Sequence, residues 1–154
     1  MRLSTKGRYA VMAMVELAKN GGTMPVALSE IAERQEISLS YLEQLFGKLR
    51  RAALVQSVRG PGGGYRLALA ASETRISDII LAVDEPIRAT RCLPGSAVGC
   101  TGSKARCLTH DLWEELGNLI HIYFSSITLA DVIDRRVLGM SGVLYRGREA
   151  AAAE

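Results

Sequence analysis

Apolar residues recur at helical spacing along the first twenty positions, with Tyr9, Met12, Ala13 and Leu17 falling on one face. Thr5 stands where a cap is needed, and Asn20-Gly21-Gly22 ends the pattern. A short extended piece, Pro25-Val26-Ala27-Leu28, precedes a second helix expected over Ser29 to Gln35. After a turn at Glu36-Ile37, Ser38 starts a third helix with Leu42, Leu45, Phe46 and Leu49 on one face. Ser40, Glu43, Gln44 and Lys48 lie opposite and look outward. The period then changes from helical to alternating. Leu54 to Val58 and Tyr65 to Leu69 read as two strands around Arg59-Gly60-Pro61-Gly62-Gly63-Gly64, a β-hairpin.

Three helices followed by a hairpin is the element order of a winged helix-turn-helix, in which the third helix enters the major groove and the hairpin tip, or wing, lies beside it. The glycine run also suggests a phosphate-cradling loop. A P-loop ends in Gly-Lys-Ser/Thr and runs into a helix, however, whereas Tyr65-Arg66-Leu67 continues as strand. A plain turn is the other reading, although a two-residue loop closes a hairpin more economically. Beyond Ser72 a short helix is expected from Ser77 to Val83. From Ala89 to Arg106 no periodicity survives. A long helix begins near Thr109, with Leu112, Leu116, Leu119, Ile120, Tyr123 and Ile127 assigned to one stripe, and Thr128-Leu129-Ala130-Asp131 has the form of a capping box for a last short helix reaching Arg136. Such a stripe is buried either against a second copy in a two-fold dimer or back on its own domain. The dimer is favoured because two-fold DNA readers need two half-sites a helical turn apart. The expected fold is thus mainly α with a small β-hairpin, a winged helix-turn-helix plus a long dimerisation helix.

Composition sharpens this picture. The 154 residues suit one small domain with appended helices, and 48 % are apolar while only 5 % are aromatic, as in a helical core of Leu, Ile, Val and Ala. No stretch approaches the roughly 20 apolar residues of a membrane span, and the start shows no apolar leader segment, so the expected location is the cytoplasm. The net charge is only +3, but it is unevenly placed. Through Leu69 ten Lys/Arg face five Glu, giving +5, while from Ala70 onward nine Lys/Arg face eleven Asp/Glu, giving −2. A basic first half suggests a polyanion as its partner. No acid/base or nucleophile constellation supports an enzyme.

The aperiodic segment carries the chemistry. Its spacing is Cys92-x7-Cys100-x6-Cys107-x2-His110. The intervening Gly, Pro, Ser, Thr, Lys and Arg cannot bury three thiols, and in a reducing compartment such a group points to metal or redox chemistry. Four such ligands fit a structural zinc or a [2Fe–2S] cluster. The open gaps differ from the tight C-x2-C pairs of zinc knuckles and favour the cluster. His121 has no cysteine near it and is read as a helix-surface residue.

Four stretches carry a resemblance. They are Met1 to Val11, Ile37-Ser38-Leu39-Ser40-Tyr41-Leu42-Glu43-Gln44-Leu45-Phe46, Ser57 to Tyr65 with its Arg-Gly-Pro-Gly-Gly-Gly core, and Cys107-Leu108-Thr109-His110 with Leu112-Trp113. Together they are similar to the IscR family of iron–sulfur cluster regulators, to about Met140. The resemblance implies a homodimeric winged-helix regulator holding a [2Fe–2S] cluster on Cys92, Cys100, Cys107 and His110, supplied by the cluster assembly machinery and governing cluster-biogenesis genes. The gaps between cysteines are longer here than in enterobacterial members. A sister regulator that senses nitric oxide has an acidic residue where this chain has Arg8, and lacks the histidine. The division expected is residues 1–72 for DNA binding, 73–107 for a linking helix and cluster loop, 108–140 for dimerisation and 141–154 for a disordered tail.

For double-stranded operator DNA the candidate residues are Ser38, Ser40 and Tyr41 for phosphates or base edges and Gln44 for adenine, with Arg59 at the wing base and Gly60, Pro61 and Gly62 at its tip. Glu43 either accepts from a cytosine amino group or rejects unsuitable sites; its other reading is structural, as the last member of a Ser40-Tyr41-Leu42-Glu43 capping box. The resemblance implies that cluster-bound and cluster-free forms prefer different sites, and Glu43 is the residue assigned to that discrimination.

Overall fold

A computed structural model describes residues 4–22, 24–87, 89, 100 and 105–137. Cys92, most of the cysteine loop and the expected tail at 141–154 lie outside the described residues. Helix α1 (Thr5–Gly21) is capped by Ser4, whose hydroxyl accepts the Lys6 N–H at 3.2 Å. The cap therefore sits one residue before Thr5. Ser4 is the extended residue, and its oxygen is the one placed to meet a first-turn N–H. Ala10, Ala13, Met14 and Leu17 are fully or almost fully buried, so α1 is the spine against which the other elements pack.

Helix α2 (Leu28–Gln35) ends at Glu36, which takes a left-handed φ of 53° and turns the chain sharply into Ser38. The Ser38 side chain then accepts the Tyr41 N–H and opens helix α3 (Leu39–Arg51). Ser38, not Ser40, is the cap. Ser40 lies inside the first turn, so Glu43 has no cap N–H to meet, and its carboxylate is exposed and unpaired among the described residues. The α3 core face is the expected one, with Leu42, Leu45, Phe46 and Leu49 buried. At the other end Lys48, Arg50 and Arg51 stand where the helix dipole favours cations.

Strands β1 (Val55–Val58) and β2 (Gly64–Leu67) pair antiparallel, with Val55 opposite Leu67 and Val58 opposite Gly64. Their connection closes on a Gly60-Pro61-Gly62-Gly63 turn in which the Gly63 N–H donates to the Gly60 carbonyl at 2.9 Å. Pro at the second position and a positive φ of 72° at Gly62 are the marks of a type II turn, and they explain why Gly-Pro-Gly appears there. The hairpin is also fastened at its second strand. Tyr65 and Val26 exchange two backbone hydrogen bonds of 2.8 Å each, and the Tyr65 ring meets Phe46 edge-on at 4.9 Å. Gly64 makes this approach possible, because a Cβ there would lie inside contact distance of the Val26 carbonyl.

Helix α4 (Ile76–Ala82) buries Ile76, Ile79 and Ile80 in the same core. The turn that follows it reaches two of the three earlier helices: Asp84 pairs with Lys48 of α3 at 2.6 Å, and the Glu85 carboxylate accepts from the N–H and hydroxyl of Ser4, the cap of α1. Helix α5 (His110–Ser126) starts where expected and ends at Ile127. Helix α6 (Leu129–Ile133) is opened by the expected capping box, with the Asp131 N–H donating to the Thr128 hydroxyl at 3.2 Å and the Thr128 N–H donating to Asp131 at 3.0 Å. It stops short of Arg136 because Arg135 turns left-handed, at φ 56°. Backbone bonds from Ile76 to Ile127 and from Leu129 to Thr74 return this segment to the winged core, where Leu129 is fully buried.

The expected single stripe of α5 divides in two. Leu116, Ile120 and Ile127 are half-buried, with Phe124 and Ile127 packed against the winged core, whereas Leu112, Leu119 and Tyr123 are exposed together with Leu108, Trp113 and Ile122. The winged core covers one flank of this apolar arc and leaves the other exposed. Among the described residues no helix is long and apolar enough to cross a membrane.

Candidate nucleic-acid interface and metal centre

Helices α2 and α3 with their tight turn form the helix-turn-helix. Residues advance by about 100° per position on a helix, so Ser40, Glu43 and Gln44 share one outward face of α3, and all three are exposed. Leu39, 42 % exposed, joins them at the helix start, and the sequence reading overlooked it. It shows no periodic or charged signal, and only its failure to be buried marks it. Arg50 and Arg51, likewise exposed and likewise not singled out, extend the basic character to the helix end.

Two named candidates sit differently. Tyr41 turns about a quarter of a circle from that face and is half-buried, its ring edge-on to Tyr9 at 6.1 Å and 83°. Ser38 is exposed, but its oxygen already accepts the cap hydrogen bond and retains its hydroxyl proton as donor. Lys48 is committed to Asp84, whose carboxyl is held below the usual aspartate range by the hydrogen bond and charge of Lys48. On the hairpin Arg59, Gly60, Pro61 and Gly62 are all exposed, and the glycines leave Arg59 the one long side chain of the tip. Arg66 is instead tied to the Gln56 side chain at 3.0 and 3.2 Å across the strand pair.

The second site lies at the start of α5. His110 is the first residue of that helix and only 4 % exposed, with its backbone N–H donating to the Cys107 carbonyl at 3.0 Å. Its Nδ1 lies 3.0 Å from the Cys100 Sγ although ten residues separate them. The Cys107 Sγ is 3.4 Å from the Thr109 hydroxyl and half-buried, while Cys100 is exposed. The Cys100 thiol and the imidazole thus meet, two donors that fit a thiolate–imidazole metal centre, whereas the Cys107 Sγ does not join them. Among the described residues the group whose ligand atoms all lie within 4.8 Å of one another is His110, Asp111 and Glu114. On the far side of the ring the Nε2 is buried without a hydrogen-bond partner among the described residues, and the Glu114 Oε2 stands 3.4 Å away, off the line of a good bond. His121 is exposed, as read from the sequence.

Residues 3–135 match the Rrf2 family, described as iron-dependent transcriptional regulators. The chain belongs to the Rrf2 family. It is 52 % identical over 143 residues to the transcriptional regulator IscR of Photorhabdus laumondii, covering 92 % of this chain and 85 % of that one. To IscR of Vibrio atlanticus it is 51 % identical over 142 residues, with 92 % and 80 % covered. Among solved structures, T. potens IscR superposes with a TM-score of 0.71 at 38 % identity, covering 94 % of this chain and 96 % of that chain. As an Rrf2 protein the chain is a DNA-binding transcription regulator of winged-helix fold, and its relatives are regulators, not enzymes.

Proposed function

We propose that this Rrf2 regulator senses iron–sulfur cluster supply in the cytoplasm, holding a [2Fe–2S] cluster on Cys92, Cys100, Cys107 and His110 and adjusting transcription of cluster-biogenesis genes. The observation that carries the reading is the 3.0 Å approach of the His110 Nδ1 to the Cys100 Sγ, which joins two remote candidate ligands. The thiols bind iron as thiolates and the imidazole binds it neutral. A cluster there supplies a redox-active, losable occupant whose potential is raised by exchanging one thiolate for imidazole. Because Cys100 and Cys107 flank residues 101–106 and His110 opens α5, ligation ties the loop to that helix, and the assembly machinery acts as donor. The IscR name borne by the relatives supports the same reading.

The DNA-facing surface in this proposal comprises Ser40, Glu43 and Gln44 on α3, Ser38 through its hydroxyl proton, Tyr41 at the margin, and Arg59 with Gly60, Pro61 and Gly62 on the wing. Glu43 is free to accept from cytosine or to disfavour sites without one. Two such surfaces are held in register by a homodimer through the exposed arc of Leu112, Leu119, Ile122 and Tyr123.

The test is iron and sulfide analysis of protein purified without oxygen, followed by DNA footprints with and without the cluster. Visible absorption with iron and sulfide, weakened in Cys107→Ala and His110→Ala, is the expected result. Stoichiometric zinc with neither iron nor sulfide overturns the sensor reading and leaves a zinc-stabilised DNA-binding dimer.

A further inference from the structure

We propose that Glu114 is the positioning residue of His110, accepting a hydrogen bond from its Nε2 and so holding Nδ1 bare and turned toward Cys100. The inference rests on the assignment of His110 as a ligand, and its chemistry is that of the imidazole itself. A neutral histidine carries one N–H and one lone pair, and the nitrogen that binds a metal must be the bare one. The Cys100 Sγ lies 3.0 Å from Nδ1, so Nδ1 is the ring atom facing the candidate thiolate ligand, and binding a metal there requires the N–H to sit on Nε2. That Nε2 is buried, so water cannot satisfy it. A buried N–H without an acceptor is costly, and an acceptor that fixes the tautomer also fixes the ring plane.

Glu114 lies one helical turn after His110 on the same face of α5, its Oε2 3.4 Å from Nε2. Its side chain is 43 % exposed, which leaves it free to rotate. Closing to the roughly 2.7–2.9 Å of a charge-assisted bond requires a movement of about half an ångström. Asp111 places a carboxylate oxygen within 4.8 Å of the same group, but it belongs to the exposed first turn of α5, where the helix dipole already favours a negative charge. The cluster reading accounts for His110 but gives Glu114 no role; the orphaned nitrogen does.

The experiment uses metal-free full-length protein and long-range 1H–15N NMR of the His110 ring, which reports the tautomer directly. Wild type is expected to show an Nε2–H ring. Glu114→Gln keeps an acceptor and preserves that pattern, whereas Glu114→Ala shifts the ring toward Nδ1–H or a mixture of the two. A wild-type Nδ1–H ring, or an unchanged ring in Glu114→Ala, overturns the proposal. After anaerobic reconstitution, Glu114→Ala is expected to lose its cluster at least about 10-fold faster than wild type, with Glu114→Gln between them. Equal loss rates overturn a role in retention. Failure of wild type to take up iron and sulfide, with the tautomer result intact, overturns the sensor reading alone and keeps the Glu114–His110 pair.

Discussion

Gly64→Ala tests whether the wing is fastened or free. The added methyl group would fall inside contact distance of the Val26 carbonyl, and its obstacles are backbone atoms, which cannot rotate aside. The second strand must then lift from the connection between α1 and α2. That movement breaks the two 2.8 Å bonds between Val26 and Tyr65 and loosens the edge contact of Tyr65 with Phe46. Each backbone bond contributes about 0.5–1.5 kcal/mol net, and the aromatic pair about 0.5–1.5 kcal/mol more. A stiffer unfolded chain returns about 0.4–1 kcal/mol. The expected net loss is about 1–3 kcal/mol, or a fall in Tm of roughly 2–12 °C for a chain of this length. Urea unfolding followed by circular dichroism at fixed protein concentration reads the loss as a lower midpoint with unchanged slope. A midpoint equal to wild type would refute the fastened wing, since no methyl group fits there without displacing the strand.

Arg59→Ala is expected to weaken specific operator binding by about 1–3 kcal/mol with the fold intact; an unchanged affinity in a fluorescence-anisotropy titration counts against the wing contact. Gly47→Ala is expected to stabilise the protein by about 0.5–1 kcal/mol, because Gly47 lies in the interior of α3 and a Cβ there meets nothing within 4 Å; a lower melting temperature contradicts this. Ile122→Glu places a charge in the exposed apolar arc of α5 and is expected to weaken dimerisation on the order of 100-fold in analytical ultracentrifugation, and an unaltered dimer would locate the interface elsewhere. For Asp131, the hydrogen bonds from the Thr128 hydroxyl and backbone and then the charge of Arg136 hold the carboxyl below the usual 3.8. A lowered folded pKa means stabilisation that is complete above the usual value and fades as pH falls through the lowered one. Asp131→Asn should therefore be the less stable protein near neutrality, with the gap narrowing in acid, and a gap independent of pH in denaturant titrations would exclude the mechanism.

Local rules carried the sequence reading far where neighbours in the chain decide the outcome. The core face of α3, the Thr128–Asp131 box and the Gly-Pro-Gly-Gly corner all follow from residues within four positions of one another. The cap of α3 was harder, because Ser38 and Ser40 both stand before an apolar run. The left-handed Glu36 decides between them, since it fixes where the helix begins. Contacts between distant residues left no local trace. The Val26–Tyr65 bridge, the edge-on Tyr9–Tyr41 pair and the Lys48–Asp84 ion pair all depend on tertiary packing. They explain why Lys48, outward-facing by pattern, and Tyr41, a candidate DNA contact, are partly committed inside the protein. The same holds for α5, whose wide apolar arc reads as one stripe until the winged core covers one flank. At the metal centre, the spacing pointed to His110 and the cysteines, but nothing short of coordinates singles out Glu114, an ordinary acidic residue on a helix.

The turn at Asp84 and Glu85 bears on how affinity data for this regulator should be interpreted. Its grip on α3 is an exposed ion pair, weakened by dissolved salt over the same ionic-strength range that weakens Lys and Arg contacts with phosphate. Raising salt therefore slackens the support of α3 while it also strips the duplex contacts. A logarithmic plot of binding constant against salt then contains a contribution from inside the protein, and dividing its slope by the counterion factor overcounts the phosphates touched. Repeating the titration with the double variant Lys48→Gln/Asp84→Asn, which removes the internal pair without freeing a cation for phosphate, isolates the true number.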